Sequence, residues 1–270
     1  MRFPTQITRL LPLLLLPCLL TAQTYGNDRL QARESAALGL LDKAAIDQMM
    51  VFIPGIGSPS RENLVRQNIK SYMMPIRQVT PPSQEWAYAL ASCVEYYTNL
   101  NNNFKDNLSP DYLTLSLANQ GNRPELKDGL DLIVREGTVT AAIVPYGSQT
   151  IPNAVFSVPR SKISNYGYLF RPDVRARSKV FEVRNALSRG NPVLVELRTG
   201  NDFLTLRGSL YAPGAALTDT HYLTVVGYDS DEETFELRGT FGRLWAGAGY
   251  VRISFDDFGR MAQSGFVLIP

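Results

Sequence analysis

The chain has 270 residues, of which 44% are hydrophobic and 19% are charged, and its formal net charge is +2. This length and composition are typical of one sizeable packed domain with some additional sequence. Positive and negative residues are nearly balanced and no long block of like charge occurs. The composition therefore argues against a nucleic acid or an acidic polymer as a partner.

Residues 1–22 have the pattern of a secretory signal peptide. A positive region with Arg2 and Arg9 precedes an apolar run from Leu10 to Leu20, and small residues follow. The run is shorter than the roughly 20 apolar residues that span a bilayer. We therefore expect an exported protein, secreted or periplasmic, with no stable membrane span.

Two cysteines occur in the whole sequence. Cys18 lies where a lipid could be attached, but Pro17 directly before it disfavours lipidation, which stays the minor alternative. Removal of the leader would leave Cys93 alone, so no intramolecular disulfide could form. A bridge-free exported chain of this size fits a bacterial source, with the core supplying the stability.

Residues 23–75 precede the main domain. Helical spacing extends over Asp28–Met50, the segment Pro54–Pro59 interrupts it, and a second short helix is predicted over Arg61–Met74. The pattern predicts an N-terminal helical arm that packs on the body.

A long helix is predicted over about residues 84–98. Pro82 prevents an earlier start and Ser83 is a suitable N-cap. Apolar residues recur at the spacing of one buried helical stripe: Trp86, Leu90, Cys93, Val94 and Tyr97. Such a helix is expected to lie in the middle of a domain, with Cys93 as a buried structural residue.

Helices and strands are segregated along the rest of the chain. Helices are predicted from Ser109, over Glu125–Arg135 and over Phe181–Ser188, and residues 147–175 have the composition of a loop. Four strands are predicted mainly after them: Pro192–Leu197, His221–Asp229, Thr234–Arg238 and Gly265–Ile269. Helices followed by strands indicate an α+β fold.

Three motifs, in this order, resemble those of papain-like cysteine peptidases. Residues 82–88, Pro-Ser-Gln-Glu-Trp-Ala-Tyr, resemble the Cys-Gly-Ser-Cys-Trp signature with its following Ala and aromatic residue. Residues 221–228 resemble His-Ala-x-x-x-Val-Gly-Tyr. Residues 239–253 parallel Asn-Ser-Trp-Gly-x-x-Trp-Gly-x-x-Gly-Tyr-x-x-Ile. His221 also follows Glu85 at the roughly 130–150 residues that separate nucleophile and histidine in this family.

The resemblance covers about residues 76–256 and implies a domain over 76–270. Its expected architecture is a helical left half and an antiparallel β right half with a cleft between them. It also implies that residues 23–75 are either an arm packed on the body, which we favour slightly, or a pro-segment that blocks the cleft.

The resemblance further implies that most of the catalytic machinery is absent. The nucleophilic cysteine position is Glu85, and the histidine is retained as His221. The orienting asparagine position is Gly239, and the oxyanion-binding glutamine position is Val79, with Gln78 one step off. Because thiolate, histidine, orienting group and oxyanion donors act together, we expect a pseudopeptidase.

Two functions remain open at this stage. The first is an exported, inactive protein that binds a peptide, a protein or a cell-envelope component through a cleft edged by Trp86, Phe241 and Trp245. The alternative is an altered hydrolase in which Glu85 and His221 activate water. No cofactor is expected, and a single histidine without a cysteine cluster argues against a metal such as zinc.

Overall fold

The computed structural model describes residues 38–118 and 124–270, so the predicted signal peptide, with Cys18, lies outside the described residues. The helices are α1 (Lys43–Met49), α2 (Arg61–Val65), α3 (Glu85–Asn102), α4 (Pro110–Ala118), α5 (Leu126–Arg135), α6 (Ala176–Ser188) and α7 (Phe255–Met261). The strands are β1 (Arg66–Asn68), β2 (Asn165–Phe170), β3 (Val193–Thr199), β4 (Leu210–Tyr211), β5 (Asp219–Asp229), β6 (Thr234–Arg238), β7 (Tyr250–Ser254) and β8 (Ala262–Ile269). Within these ranges no helix is long and apolar enough to cross a membrane.

The strands form one mainly antiparallel sheet in the order β2-β8-β3-β5-β6-β7-β4, with β1 paired to β5. The pair β4 and β7 is the parallel exception. In the pairing of β3 with β5, Leu197 lies opposite His221. This register places His221 near the N-terminal end of the longest strand.

Two hydrophobic cores divide the molecule, and alternate residues of the same strands belong to different cores. Leu194 and Val226 pack in the core of the helical half. Their neighbours Val195 and Val225 pack in the core of the β half. Successive side chains of a strand point to opposite faces, so β3 and β5 form the wall between the halves. The predicted α+β architecture, with a helical half and a mainly antiparallel β half, is therefore observed.

The central helix α3 is buried almost from end to end. The Tyr96 hydroxyl donates to the Gly190 carbonyl at 2.7 Å, and the Tyr97 hydroxyl donates to Asn191 at 2.9 Å. The helix continues one turn beyond the predicted end and closes at Asn103, whose φ of 49° is left-handed.

The described part of the N-terminal arm packs on both halves, with Ile46 in the core of the β half and Ile53 and Ile69 in the core of the helical half. Leu40 exchanges backbone hydrogen bonds with β2, and Ile46 of α1 is buried. The helix predicted over Arg61–Met74 ends at Val65, because the next three residues form β1 and pair with β5. The domain boundary at residue 75 and cleavage of the arm stay predictions.

The segment 147–175 is not only a loop, as the sequence suggested. Asn165–Phe170 forms β2 at the edge of the sheet. Gly167 lies in the middle of this strand, where an added Cβ would be 2.7 Å from Ile46. Glycine is uncommon inside strands, so Gly167 weakened the strand prediction. Its lack of a side chain nevertheless allows α1 to pack closely against β2.

Candidate functional site

The structure brings Glu85 and His221 together from opposite halves of the molecule. Glu85 is the first residue of α3, and its carboxylate Oε2 lies 2.9 Å from Nδ1 of His221 on β5. The two residues are only 4% and 6% exposed. The positive end of the helix dipole stabilises a carboxylate at this position. With a protonated imidazole the contact is a buried ion pair.

Aromatic rings surround the imidazole on the side of the β half. The Phe203 ring stacks on it with centroids 5.3 Å apart, and the Phe241 ring meets it edge-on at 5.4 Å. The Trp245 indole donates from Nε1 to the Phe203 carbonyl at 2.8 Å and so holds this ring in place. These contacts fix the orientation of His221 by packing.

Gly239 lies behind this aromatic cluster and has no room for a side chain. A Cβ built on Gly239 would be 2.5 Å from the Trp245 ring and 3.0 Å from the Phe241 ring. The indole therefore occupies the space that an orienting side chain at residue 239 would need. Phe241 and Trp245 act here as packing residues, and they are not among the described residues that line the neighbouring cleft.

The segment before the central helix offers no side-chain donor at Val79. Val79 is buried, and its backbone N–H donates to Thr240 at 2.8 Å. Gln78 is exposed, and its side chain lies against Gly242. This segment is anchored to α3 by Arg77, which forms a buried salt bridge with Glu95.

A cleft of about 530 Å³ opens beside the Glu85–His221 pair. The helical half contributes five of its lining residues: Ser83, Glu85, Trp86, Pro124 and Glu125. The β half contributes the other five: Leu204, Asp219, Thr220, His221 and Tyr222. Of the three aromatic residues that the sequence proposed for the cleft, Trp86 alone lines it.

Cys93 lies eight residues into α3 and away from this cleft. Its side chain is fully buried, and its Sγ is 3.5 Å from the Thr224 hydroxyl. Burial raises the pKa of the Cys93 thiol from 9.0 to about 12. A thiol that stays protonated and inaccessible does not act as a nucleophile.

Sequence reasoning did not single out several residues of the site, among them Phe203, Leu204, Glu125 and Asp219. Asp219 lies two residues before His221, and β5 begins there and not at His221 as predicted. Phe203 and Leu204 lie in a short 3-10 helix and Glu125 caps α5, and no local pattern marks any of the three as a site residue. Among the residues described, no cluster of His, Cys, Asp or Glu is arranged to hold a metal ion.

Comparisons with known proteins agree with this architecture, although no family model matches the chain. Procathepsin L 3 of Tenebrio molitor superposes with a TM-score of 0.65 at 17% identity, covering 92% of this chain and 87% of that one. A cysteine protease of Carica candamarcensis, solved in complex with E-64, gives a TM-score of 0.61 at 20% identity and covers 75% and 97%. The fold is papain-like.

The sequence relatives point the same way. Zingipain-2 of Zingiber officinale is 25% identical over 187 residues, which is 67% of this chain and 81% of the relative. The relatives and the structural neighbours therefore agree on a likeness to papain-like cysteine proteases. The cleft beside Glu85 and His221 is therefore the candidate functional site of this fold.

Proposed function

We propose that this protein is an exported, papain-like pseudopeptidase that binds a peptide segment in its cleft without cleaving it. The buried contact between Glu85 and His221 carries this proposal. In the papain-like resemblance, Glu85 stands where the thiolate would be, and it engages the imidazole nitrogen that would activate that thiol. A carboxylate is a weak nucleophile towards an amide, and the mixed anhydride it would form is itself reactive.

The surroundings of the pair support a lack of turnover. Val79 supplies no side-chain donor for an oxyanion, and the Trp245 ring fills the space beside Gly239. Preorganised donors commonly contribute about 100- to 1000-fold to the rate of acyl transfer, and loss of the nucleophile alone costs about a millionfold in a serine peptidase. Several such losses together leave binding as the activity that the site retains.

The cleft supports peptide binding. Its volume of about 530 Å³ is within the range of small-ligand sites, and its lining combines apolar and polar groups from both halves. A fold neighbour from Carica candamarcensis was solved with E-64, and the bromelain protease of Ananas comosus was solved with the E64 inhibitor. The signal-like residues 1–22 support export, secreted or periplasmic.

A second candidate is the altered hydrolase, and the same contact favours it. A carboxylate and an imidazole 2.9 Å apart at the edge of a cleft form a pair that can remove a proton from water. This mechanism predicts a bell-shaped dependence of the rate on pH that disappears in Glu85→Gln. It also predicts no effect of thiol-blocking reagents, since Cys93 is buried.

The deciding experiment measures binding and cleavage together. Protein purified after expression of the full chain is incubated with a fluorogenic peptide pool, beside Glu85→Gln and Glu85→Cys. Glu62→Gln, at an exposed helix position, is the matched control. We expect binding of pool members by fluorescence anisotropy and no cleavage by the unmodified protein.

Turnover that is abolished by Glu85→Gln but kept in Glu62→Gln would overturn the pseudopeptidase proposal and establish a carboxylate mechanism. Turnover that survives Glu85→Gln and is stopped by a thiol reagent would come from a contaminating cysteine peptidase. It would therefore not be evidence of hydrolysis by this protein. An absence of both binding and cleavage would overturn peptide binding.

A further inference from the structure

We propose that the cleft selects a peptide that carries a lysine or arginine side chain, held between the carboxylates of Glu125 and Asp219. This inference rests on the proposed function and assigns the chemical class of its ligand. Both residues line the same cleft as Glu85 and His221.

The two carboxylates come from opposite walls of the cleft. Glu125 precedes the first turn of α5 in the helical half and forms a capping box with Asp128: its backbone N–H donates to the Asp128 carboxylate, and its side chain accepts from the Asp128 backbone. Asp219 is the first residue of β5 in the β half. Both are exposed, and neither forms a salt bridge within the part of the chain that the structure describes. A ligand between the walls therefore meets a carboxylate on each side.

The remaining charges of the lining do not offset these two. Glu85 contacts His221, and no lysine or arginine is among the described residues of the lining. The chain as a whole carries a net charge of +2, so the excess of acidic residues in the described lining differs in sign from the net charge. A cleft lined by one sign of charge concentrates ligands of the opposite sign. Charge complementarity therefore favours a cationic ligand and opposes an acidic one.

The uncharged part of the lining suits the stem of a long basic side chain. Pro124 and Trp86 lie on one wall, and Leu204, which is 47% exposed, lies on the other. Lysine and arginine bury their methylene groups along such apolar surface while the charged end reaches a polar partner. The two carboxylates would receive that end through charge-assisted hydrogen bonds.

Two other cations fit less well. A divalent metal prefers several oxygen ligands in one shell, and the described residues contain no such group. A free polyamine shares the cationic chemistry, but it would leave the part of the cleft near Trp86 and the Glu85–His221 pair without a partner. The experiment separates this source from a peptide.

The test uses two fluorescein-labelled hexapeptide pools that differ only in arginine against citrulline at one fixed position. Citrulline has nearly the same shape and no charge. We expect the arginine pool to bind about tenfold more tightly, with the difference shrinking as the salt concentration rises. Spermidine, added as a competitor, is expected to displace the arginine pool only weakly.

Variants assign the effect to the two carboxylates. In the double variant Glu125→Gln with Asp219→Asn, the preference for arginine should disappear while the affinity for the citrulline pool is retained. Asp173→Asn, which neutralises an exposed carboxylate outside the cleft lining, should keep the full preference.

The outcomes also separate this inference from the proposed function. Equal binding of both pools would overturn the cationic preference and leave peptide binding intact. Binding of neither pool would overturn both. A preference that survives the double variant would remove Glu125 and Asp219 from the recognition of the basic side chain, and stronger binding of spermidine than of the arginine pool would assign the cleft to polyamines.

Discussion

At the scale of a single residue, Gly239 explains why His221 is oriented by packing. The Trp245 ring lies where a side chain at residue 239 would begin, at 2.5 Å from a built Cβ. The same indole fixes Phe203, whose ring stacks on the imidazole. Aromatic contacts thus take over the positioning of His221, and Glu85 takes over its polar contact. His221 is therefore held in place without an amide side chain at residue 239.

Gly239→Asn is therefore expected to destabilise the protein. The new side chain would collide with the indole, and overpacking of this kind costs about 1–3 kcal/mol in the free energy of unfolding. Denaturant unfolding followed by tryptophan fluorescence measures the change. Gly208→Asn is the matched control, because a Cβ at Gly208 meets nothing within 4 Å. An unchanged stability of Gly239→Asn would contradict this prediction and would show that the aromatic rings move aside at little cost in free energy.

At the scale of elements, the central helix α3 links the site to the core of the helical half. Its first residue contacts His221, and Glu95 in its middle accepts a hydrogen bond from the Leu108 backbone at 2.8 Å. Burial raises the pKa of the Glu95 carboxyl, while the Arg77 guanidinium opposes that shift. Because α3 is anchored along its length, the position of Glu85 does not depend on a mobile loop.

The burial of α3 predicts that Cys93 is unreactive in the folded protein. At about pH 8, iodoacetamide should modify it at least about a hundredfold more slowly than in denaturant, because reaction requires unfolding. Mass spectrometry of samples quenched over time measures the rate. Rapid modification of the native protein would contradict the buried position of Cys93, and it would also remove the reagent as a test of the hydrolase mechanism.

At the scale of the whole molecule, buried hydroxyl and thiol groups accumulate in the helical half. Burial raises the pKa of Tyr88 from 10.0 to about 12, with Asp111 adding to the shift, and it also raises the pKa of Tyr96 and of Tyr97. Cys93 follows the same trend. The folded state therefore keeps these protons at a pH where the unfolded chain has released them.

This difference predicts a loss of stability at alkaline pH. Between the ordinary pKa values of 9.0 to 10.0 and about 12, the folded state binds more protons, so the free energy of unfolding falls as pH rises. The slope is up to about 1.4 kcal/mol per pH unit for each such group. Denaturant midpoints from pH 8 upward measure it.

Tyr96→Phe supplies the control for this prediction. The variant loses the hydrogen bond to the Gly190 carbonyl, so its stability is lower at neutral pH. Its alkaline slope should nevertheless be shallower by about one proton, because one buried titrating group is gone. An alkaline slope equal to that of the unmodified protein would contradict the role of Tyr96.

Local sequence patterns were sufficient to predict several of the helices and strands. The stripe along α3, the helix start at Ser109 and the strand Thr234–Arg238 follow from local patterns, and the structure has them where they were predicted. The segment Asn165–Phe170 was missed because its Gly167 serves a neighbour, α1, that is distant in sequence. The second half of the segment Arg61–Met74 was missed because β5 captures it as a strand partner.

The sequence by itself determined the α+β, papain-like order of elements and the identities of Glu85 and His221, because periodicity and motif spacing are local properties of the chain. Only the tertiary structure decided that these two side chains meet at 2.9 Å, that Trp245 fills the space beside Gly239, and that Glu125 and Asp219 face one cleft. These contacts depend on how two separate cores pack against one wall of strands. A local sequence pattern carries no information about contacts between segments that are distant along the chain.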